Sequence, residues 1–145
     1  MPTKQIVINA PAEKVFNYLA DITKHSEWGN PSQKLQVEKT SGGPVGQGST
    51  FKSVGKQFGT QNDTVTITEY VPNQKLVYQA EGNAGLIRHT VELSPSGGGT
   101  MVSKSFEAVK PKFPLTIMLP VVNGILQPRA LASDLSRIKA RLEGS

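Results

Sequence analysis

The 145 residues contain no cysteine, which removes disulfides, thiolate chemistry and cysteine-based zinc sites together. Histidine is nearly as scarce, with His25 and His89 the only two. No carboxylate stands at ligand spacing from either, and a metal centre needs three or four donors, so no metal site is expected. The G-x-S-x-G signature is missing, which argues against a serine-hydrolase elbow. G-x-G-x-x-G and the P-loop are missing too: Gly97–Gly99 follows a strand pattern but leads into another strand rather than a helix. No cofactor is expected. There is no run of about 18 apolar residues to suggest a membrane span, and Met1-Pro2-Thr3-Lys4-Gln5 lacks the apolar centre of a signal peptide. With the missing cysteines, these features suit a reducing, cytoplasmic setting. Finally, there is no dense basic run. The formal charge of +5 is scattered over residues such as Lys34, Lys52, Lys75 and Lys112, without an aromatic ladder beside it. It reads as a solvated surface, and no nucleic-acid partner is expected.

What is there is organised around the last stretch, Pro114 to Glu143. Leu115, Leu119, Val122 and Leu126 recur at helical spacing, and Leu131, Leu135, Ile138 and Leu142 do so again. The step from Leu126 to Leu131 is five residues, so the stripe changes phase there. Pro128 falls inside that step, and a kink is expected. Between Phe113 and Leu126 the apolar residues exceed one stripe. Such a segment is either buried on several sides or touches a partner: a cavity mouth, a second copy or a membrane surface.

Most of the chain before this helix reads as strand and turn. Gln5–Asn9 is a short strand. Pro11 and Glu13 then signal a helix to about Ala20, and a shorter helix covers about Ile22–Glu27. Period-two patterns follow at Lys34–Glu38, Thr50–Val54, Thr64–Tyr70, Lys75–Glu81, Leu86–Leu93 and Thr100–Ala108. Glycine-rich turns separate them, as in an antiparallel meander. Gln57–Asp63 reads as turn, and so does the Asn62-Asp63-Thr64 sequon. One strand, two short helices, six strands and a long helix make a single α+β domain, residues 1–145.

With that order in place, "IVINAPAEKVFNYLADITKHSEW" resembles the opening of the polyketide cyclase/dehydrase-like members of the START/Bet v 1 (SRPBCC) superfamily. The matching positions are Ile8, Ala10, Pro11, Val15, Phe16, Leu19, Asp21 and Trp28. "VGQGSTF", "TEYVPNQKLVYQ", the Gly97–Thr100 hairpin and "DLSRIKARLE" also match, so the resemblance runs nearly end to end. It implies a helix-grip fold, in which a curved seven-stranded antiparallel sheet wraps around the C-terminal helix. It also implies a cavity between them that takes an apolar small molecule such as a lipid, polyketide or aromatic compound, or that performs cyclase, aromatase or dehydratase chemistry. On that arrangement the wall would draw on Trp28, Phe51, Ile67, Tyr78, Ile87, His89, Val91, Lys104, Leu119, Val122 and Leu126.

His89 shares a strand face with Ile87, Val91 and Leu93. It either serves as an acid or base in an apolar pocket or is a structurally satisfied histidine. Lys104 lies in phase with Val102 and Phe106. It points inward if they do, where it could hold an anionic head, and outward if Met101, Ser103 and Ser105 take the inner face. Glu69 shares parity with Val65 and Ile67, with solvent close by. Trp28 is read as pocket wall or core, and the Tyr78 hydroxyl as a ligand contact or plug. Arg88 and Glu92 are expected to pair across strands on the outer surface.

Overall fold

A computed structural model describes residues 2–56, 60–113 and 115–144. The strands are β1 (Thr3–Ile8), β2 (Gln36–Lys39), β3 (Thr50–Lys56), β4 (Thr60–Val71), β5 (Lys75–Gly82), β6 (Gly85–Ser96) and β7 (Gly99–Pro111). They form one sheet in the order β1-β7-β6-β5-β4-β3-β2. Every pairing is antiparallel. Between β1 and β2 lie α1 (Ala12–Ala20), a 3-10 turn (Ile22–Lys24) and α2 (His25–Trp28). The stretch read as turn between Gln57 and Asp63 divides: residues 57–59 lie outside the described residues, and Thr60–Asp63 is already strand, sequon included.

Alternation sets the inner face of the sheet. Phe51, Val65, Ile67, Leu76, Tyr78, Val91 and Val102 are all buried there. The β6–β7 hairpin closes on Gly97 and Gly98 with φ of +53° and +87°, a two-residue turn that glycine adopts without a Cβ clash. Beside it, a Cβ on Gly99 would come within 2.5 Å of the Ile8 carbonyl oxygen. Thr100 donates its hydroxyl to the Ala10 carbonyl at 2.8 Å, which ties the start of α1 to β7.

One outer-face pairing is corrected, and the Glu69 position resolves towards solvent. In β4 the register jumps between Ile67, opposite Tyr78, and Glu69, opposite Val77. One extra residue reverses the phase of everything after it. Tyr70 therefore turns inward, edge-on to Phe16 with ring centroids 5.1 Å apart. Glu69 turns outward to Lys75 at 3.4 Å. Arg88 pairs not with Glu92 but with Glu107, its register partner across β7, at 3.0 Å.

The C-terminal run comprises α3 (Leu115–Val121), a π-helical turn (Val122–Leu126) and α4 (Gln127–Glu143); Pro114, read as its start, lies outside the described residues. The Gln127 amide donates to the Val122 carbonyl, five residues back. The wider turn absorbs one extra residue just before Pro128, which has no N–H to give an α-helical ladder. This explains the five-residue step in the stripe. Leu131, Leu135, Ile138 and Leu142 are buried against the sheet and α1, as is Val122. Leu126 is not: the inserted residue rotates it out, and it is 41% exposed. Its place in the expected wall is therefore corrected, while Leu119 is only partly buried.

Phe113, Ile117, Val121 and Ile125 are exposed as well, Phe113 by 74% and Ile117 by 70%. By length and composition alone Leu115–Glu143 is long and apolar enough to cross a membrane. Its second half, however, is the core helix of this fold, packed on β1 and β7.

The shifted phase gives opposite costs to two leucines of the run. Leu135→Ala should lose about 2–5 kcal/mol and Leu126→Ala no more than about 0.5 kcal/mol, both measured by urea unfolding. Equal losses would contradict the π turn.

Candidate functional site

Under α4 the core is not continuous. One apolar cluster holds Ile8, Phe16, Phe51, Ile67, Tyr78, Val91 and Leu135 among others. A smaller one holds Ile87, Phe106, Val122 and Leu131. Strand alternation places a polar residue between them on each of two neighbouring strands: His89 between Ile87 and Val91 on β6, and Lys104 between Val102 and Phe106 on β7. Lys104 is 2% exposed, so it faces inward and the alternative from Met101, Ser103 and Ser105 is resolved.

The seam is built from rings around this amine. Lys104 Nζ stands 3.3 Å from His89 Nδ1 and 5.4 Å from the centroid of the Trp28 ring, a cation–π approach. His89 stacks on Tyr78, its register partner, at 4.9 Å, and meets Phe106 edge-on at 5.8 Å. His25 stacks on the other ring, Trp28, at 4.1 Å. From α4, Arg137 donates through Nε to the Trp28 carbonyl and through its terminal nitrogen to Asp134 Oδ1, both at 2.7 Å. That clamp holds the end of α2 against the helix. Among the described residues, two buried donors have no hydrogen-bond partner, Trp28 Nε1 and Tyr78 Oη. Unpaired buried polar atoms are costly and uncommon.

Burial dominates the electrostatics. It drives the Lys104 pKa down to about 8, partly opposed by Asp134. It pushes His25 down to about 3 and His89 well below the usual histidine range, each helped by the Lys104 charge. Both imidazoles are therefore neutral near neutral pH. Tyr78 is shifted up by burial and then by Asp134, so it stays a protonated donor. Asp134 is raised by burial against the opposing pull of Lys104 and Arg137.

Of the residues expected in the wall, Trp28, Tyr78, His89 and Lys104 meet at the seam. Ile87 and Val122 line its smaller side, and Phe51, Ile67 and Val91 belong to the main cluster. Sequence reasoning missed His25, Asp134 and Arg137 as parts of the site. Asp134 lies three residues after Leu131 and four before Ile138, which places it at the rim of the buried stripe, a signal the period already contained. Two grooves open on the surface. One of about 380 Å³ runs along Ala132, Ser133, Ser136, Arg137 and Ala140 on the outside of α4. The other, of about 440 Å³, is lined by Thr64, Thr66, Thr68, Gln79, Glu81 and Leu86 on the outside of the sheet.

Comparison with known families decides the classification. Residues 3–143 match the family described as polyketide cyclase/dehydrase and lipid transport. The chain belongs to that family, within the SRPBCC superfamily. Its sheet and C-terminal helix are the START/Bet v 1 helix-grip fold. A START superfamily protein from Mycobacterium smegmatis superposes with a TM-score of 0.80 at 18% identity, over 98% of this chain and 96% of that one. Protein CV1439 from Chromobacterium violaceum gives 0.73 at 17%, over 97% and 96%. The Aha1 dimer from Colwellia psychrerythraea gives 0.64 at 19%, over 98% and 95%. At these identities the likeness is one of fold. No curated protein matches the chain.

A buried lysine with a lowered pKa disfavours the folded state until it loses its proton. The unfolded chain keeps that proton to the ordinary pKa of 10.5, while the folded chain releases it near 8. The penalty is therefore complete below about pH 8 and disappears as pH rises through that window. Lys104→Met should be more stable than the parent by about 2 kcal/mol near neutral pH. The gap should close towards about pH 10.5 in denaturant titrations. A gap independent of pH would contradict the burial of the charge.

Proposed function

We propose that this SRPBCC protein binds an apolar small molecule at the seam between the sheet and α4. The observation that carries the reading is the pair of buried, unpartnered donors, Trp28 Nε1 and Tyr78 Oη, in the same cluster of rings as the buried amine of Lys104. Apolar walls on both sides of the seam supply area to remove from water, roughly 25 cal/mol per Å², and the polar atoms fix orientation. Entry is supported by the weak anchoring of the segment above: α3 has no buried residue, and the π turn has only Val122. Such a segment can move without breaking the core.

The Lys104–His89 contact favours a second reading, a cyclase or dehydratase. Lys104, with a pKa near 8, would be the proton donor and neutral His89 the acceptor. Native mass spectrometry of the purified protein should show a discrete added mass that leaves on denaturation, and apolar probes should alter Trp28 emission. A bare chain with unresponsive emission would overturn the binding reading. With the bound compound in hand, His89→Gln should leave binding within about threefold. Loss of turnover in that variant would favour the enzyme; unchanged product formation would remove it.

The exposed face of Phe113, Ile117, Val121 and Ile125 supports a contact of the same protein with an anionic membrane surface. Lys110 and Lys112 precede it, Arg129 follows it, and no acidic residue occurs between Glu107 and Asp134. An apolar helix face flanked by basic residues matches the chemistry of an anionic interface, at about 1 kcal/mol per basic residue. Co-sedimentation should occur with vesicles containing phosphatidylserine and fail with phosphatidylcholine alone, and Ile117→Asp should abolish it. A dimer in solution that Ile117→Asp dissociates, with no vesicle binding, would assign the face to a second copy instead.

A further inference from the structure

The polar atoms of the seam are unbalanced in kind. Lys104 Nζ and Trp28 Nε1 can only donate, the Tyr78 hydroxyl has an uncommitted O–H, and the nearest acceptor to the amine is His89 Nδ1. When Nδ1 accepts from the lysine, the neutral ring carries its proton on Nε2, which adds a fourth donor. The charges are unbalanced as well. Arg137 and Lys104 are two cations, and Asp134 is the one carboxylate acting on both, already bonded to Arg137 at 2.7 Å. One positive charge is left over, on the residue that is 2% exposed. Buried charges are ordinarily paired, because desolvating them alone is costly.

From this excess of donors and of positive charge within one buried cluster of rings, we infer that the ligand of the seam carries an acidic oxygen, a carboxylate or an enolate, held by Lys104 with Trp28 Nε1 and Tyr78 Oη. The inference rests on the binding reading above and narrows it to apolar acids. The aromatic rings of Trp28, Tyr78, His89 and Phe106 would flank the part of the molecule next to the acid. The same apolar body carrying an alcohol in place of the acid would leave the charge of Lys104 unanswered and bind less well.

Matched pairs test it: octanoate against octanol and 2-naphthoate against 2-naphthalenemethanol, by titration calorimetry on the intact chain. Near neutral pH the acids should bind at least about tenfold tighter than the alcohols. At about pH 9.5 Lys104 has lost its proton, and the preference should fall towards unity. The other groups facing the amine do not confound that series. His89 from β6 and His25 from α2 are neutral throughout, Tyr78 from β5 remains protonated, Trp28 does not titrate, and Asp134 on α4 is bonded to its neighbour Arg137. Lys104→Met should lose the preference and keep alcohol binding. If that variant does not fold, the pH series on the parent chain decides alone. Equal affinity for acid and alcohol would overturn this inference and leave the binding reading standing. Binding of neither class would overturn both, and a preference that survives at about pH 9.5 would remove Lys104 as its source.

Discussion

The constraint on which the rest of the structure depends is a single ammonium group placed inside an apolar core. Strand alternation makes the placement unavoidable: once Val102 and Phe106 face α4, so does Lys104. The surroundings then follow from the need to keep that charge tolerable. A neutral imidazole accepts from it, an indole face lies under it, and a partly buried carboxylate on α4 offsets it from a distance. Those groups in turn need support. Arg137 provides it by holding both Asp134 and the backbone of Trp28. The two apolar clusters on either side of the seam are the remainder of a core that this charge interrupts.

Much of the fold was legible in the sequence because it rests on two periods. Alternation gave the strands and, for β5 and β6, the correct inner faces, while on β7 it left two faces open; helical spacing gave the buried stripe from Leu131 to Leu142. A period count loses its phase where one residue is added to a regular element. At the β4 bulge the extra residue turns Glu69 out and Tyr70 in. At the π turn it turns Leu126 out. A period count carries its phase straight through such an insertion, since nothing in the composition marks the residue that drops out of register. The five-residue step before Leu131 did mark the second case, and proline was the right place to look, although the phase of Leu126 was still carried one turn too far.

The site was legible by strand and illegible by helix. His89 and Tyr78 could be placed because neighbours on one strand face share a side, whereas the face of Lys104 is decided only by its burial in the fold. The partnership of Arg137 with Trp28 spans most of the chain and depends on how α2 meets α4, which no local pattern encodes. The same holds for His25. It looked like an isolated histidine and is half of a stacked pair, so its chemistry comes from tertiary packing.

The order of strands has a consequence for how the chain reaches this state. β1, the first strand made, lies at the sheet edge and pairs only with β7, the last. Thr3 meets Ser105 across that pairing, and α4, made later still, packs on both strands. The meander from β2 to β6 can zip from neighbour to neighbour as it is synthesised. The first strand must wait with its apolar residues uncovered until nearly the whole sequence is available. Closure is therefore a late, long-range event, and a growing chain on the ribosome has an unpaired edge to protect from the synthesis of β1 until that of β7.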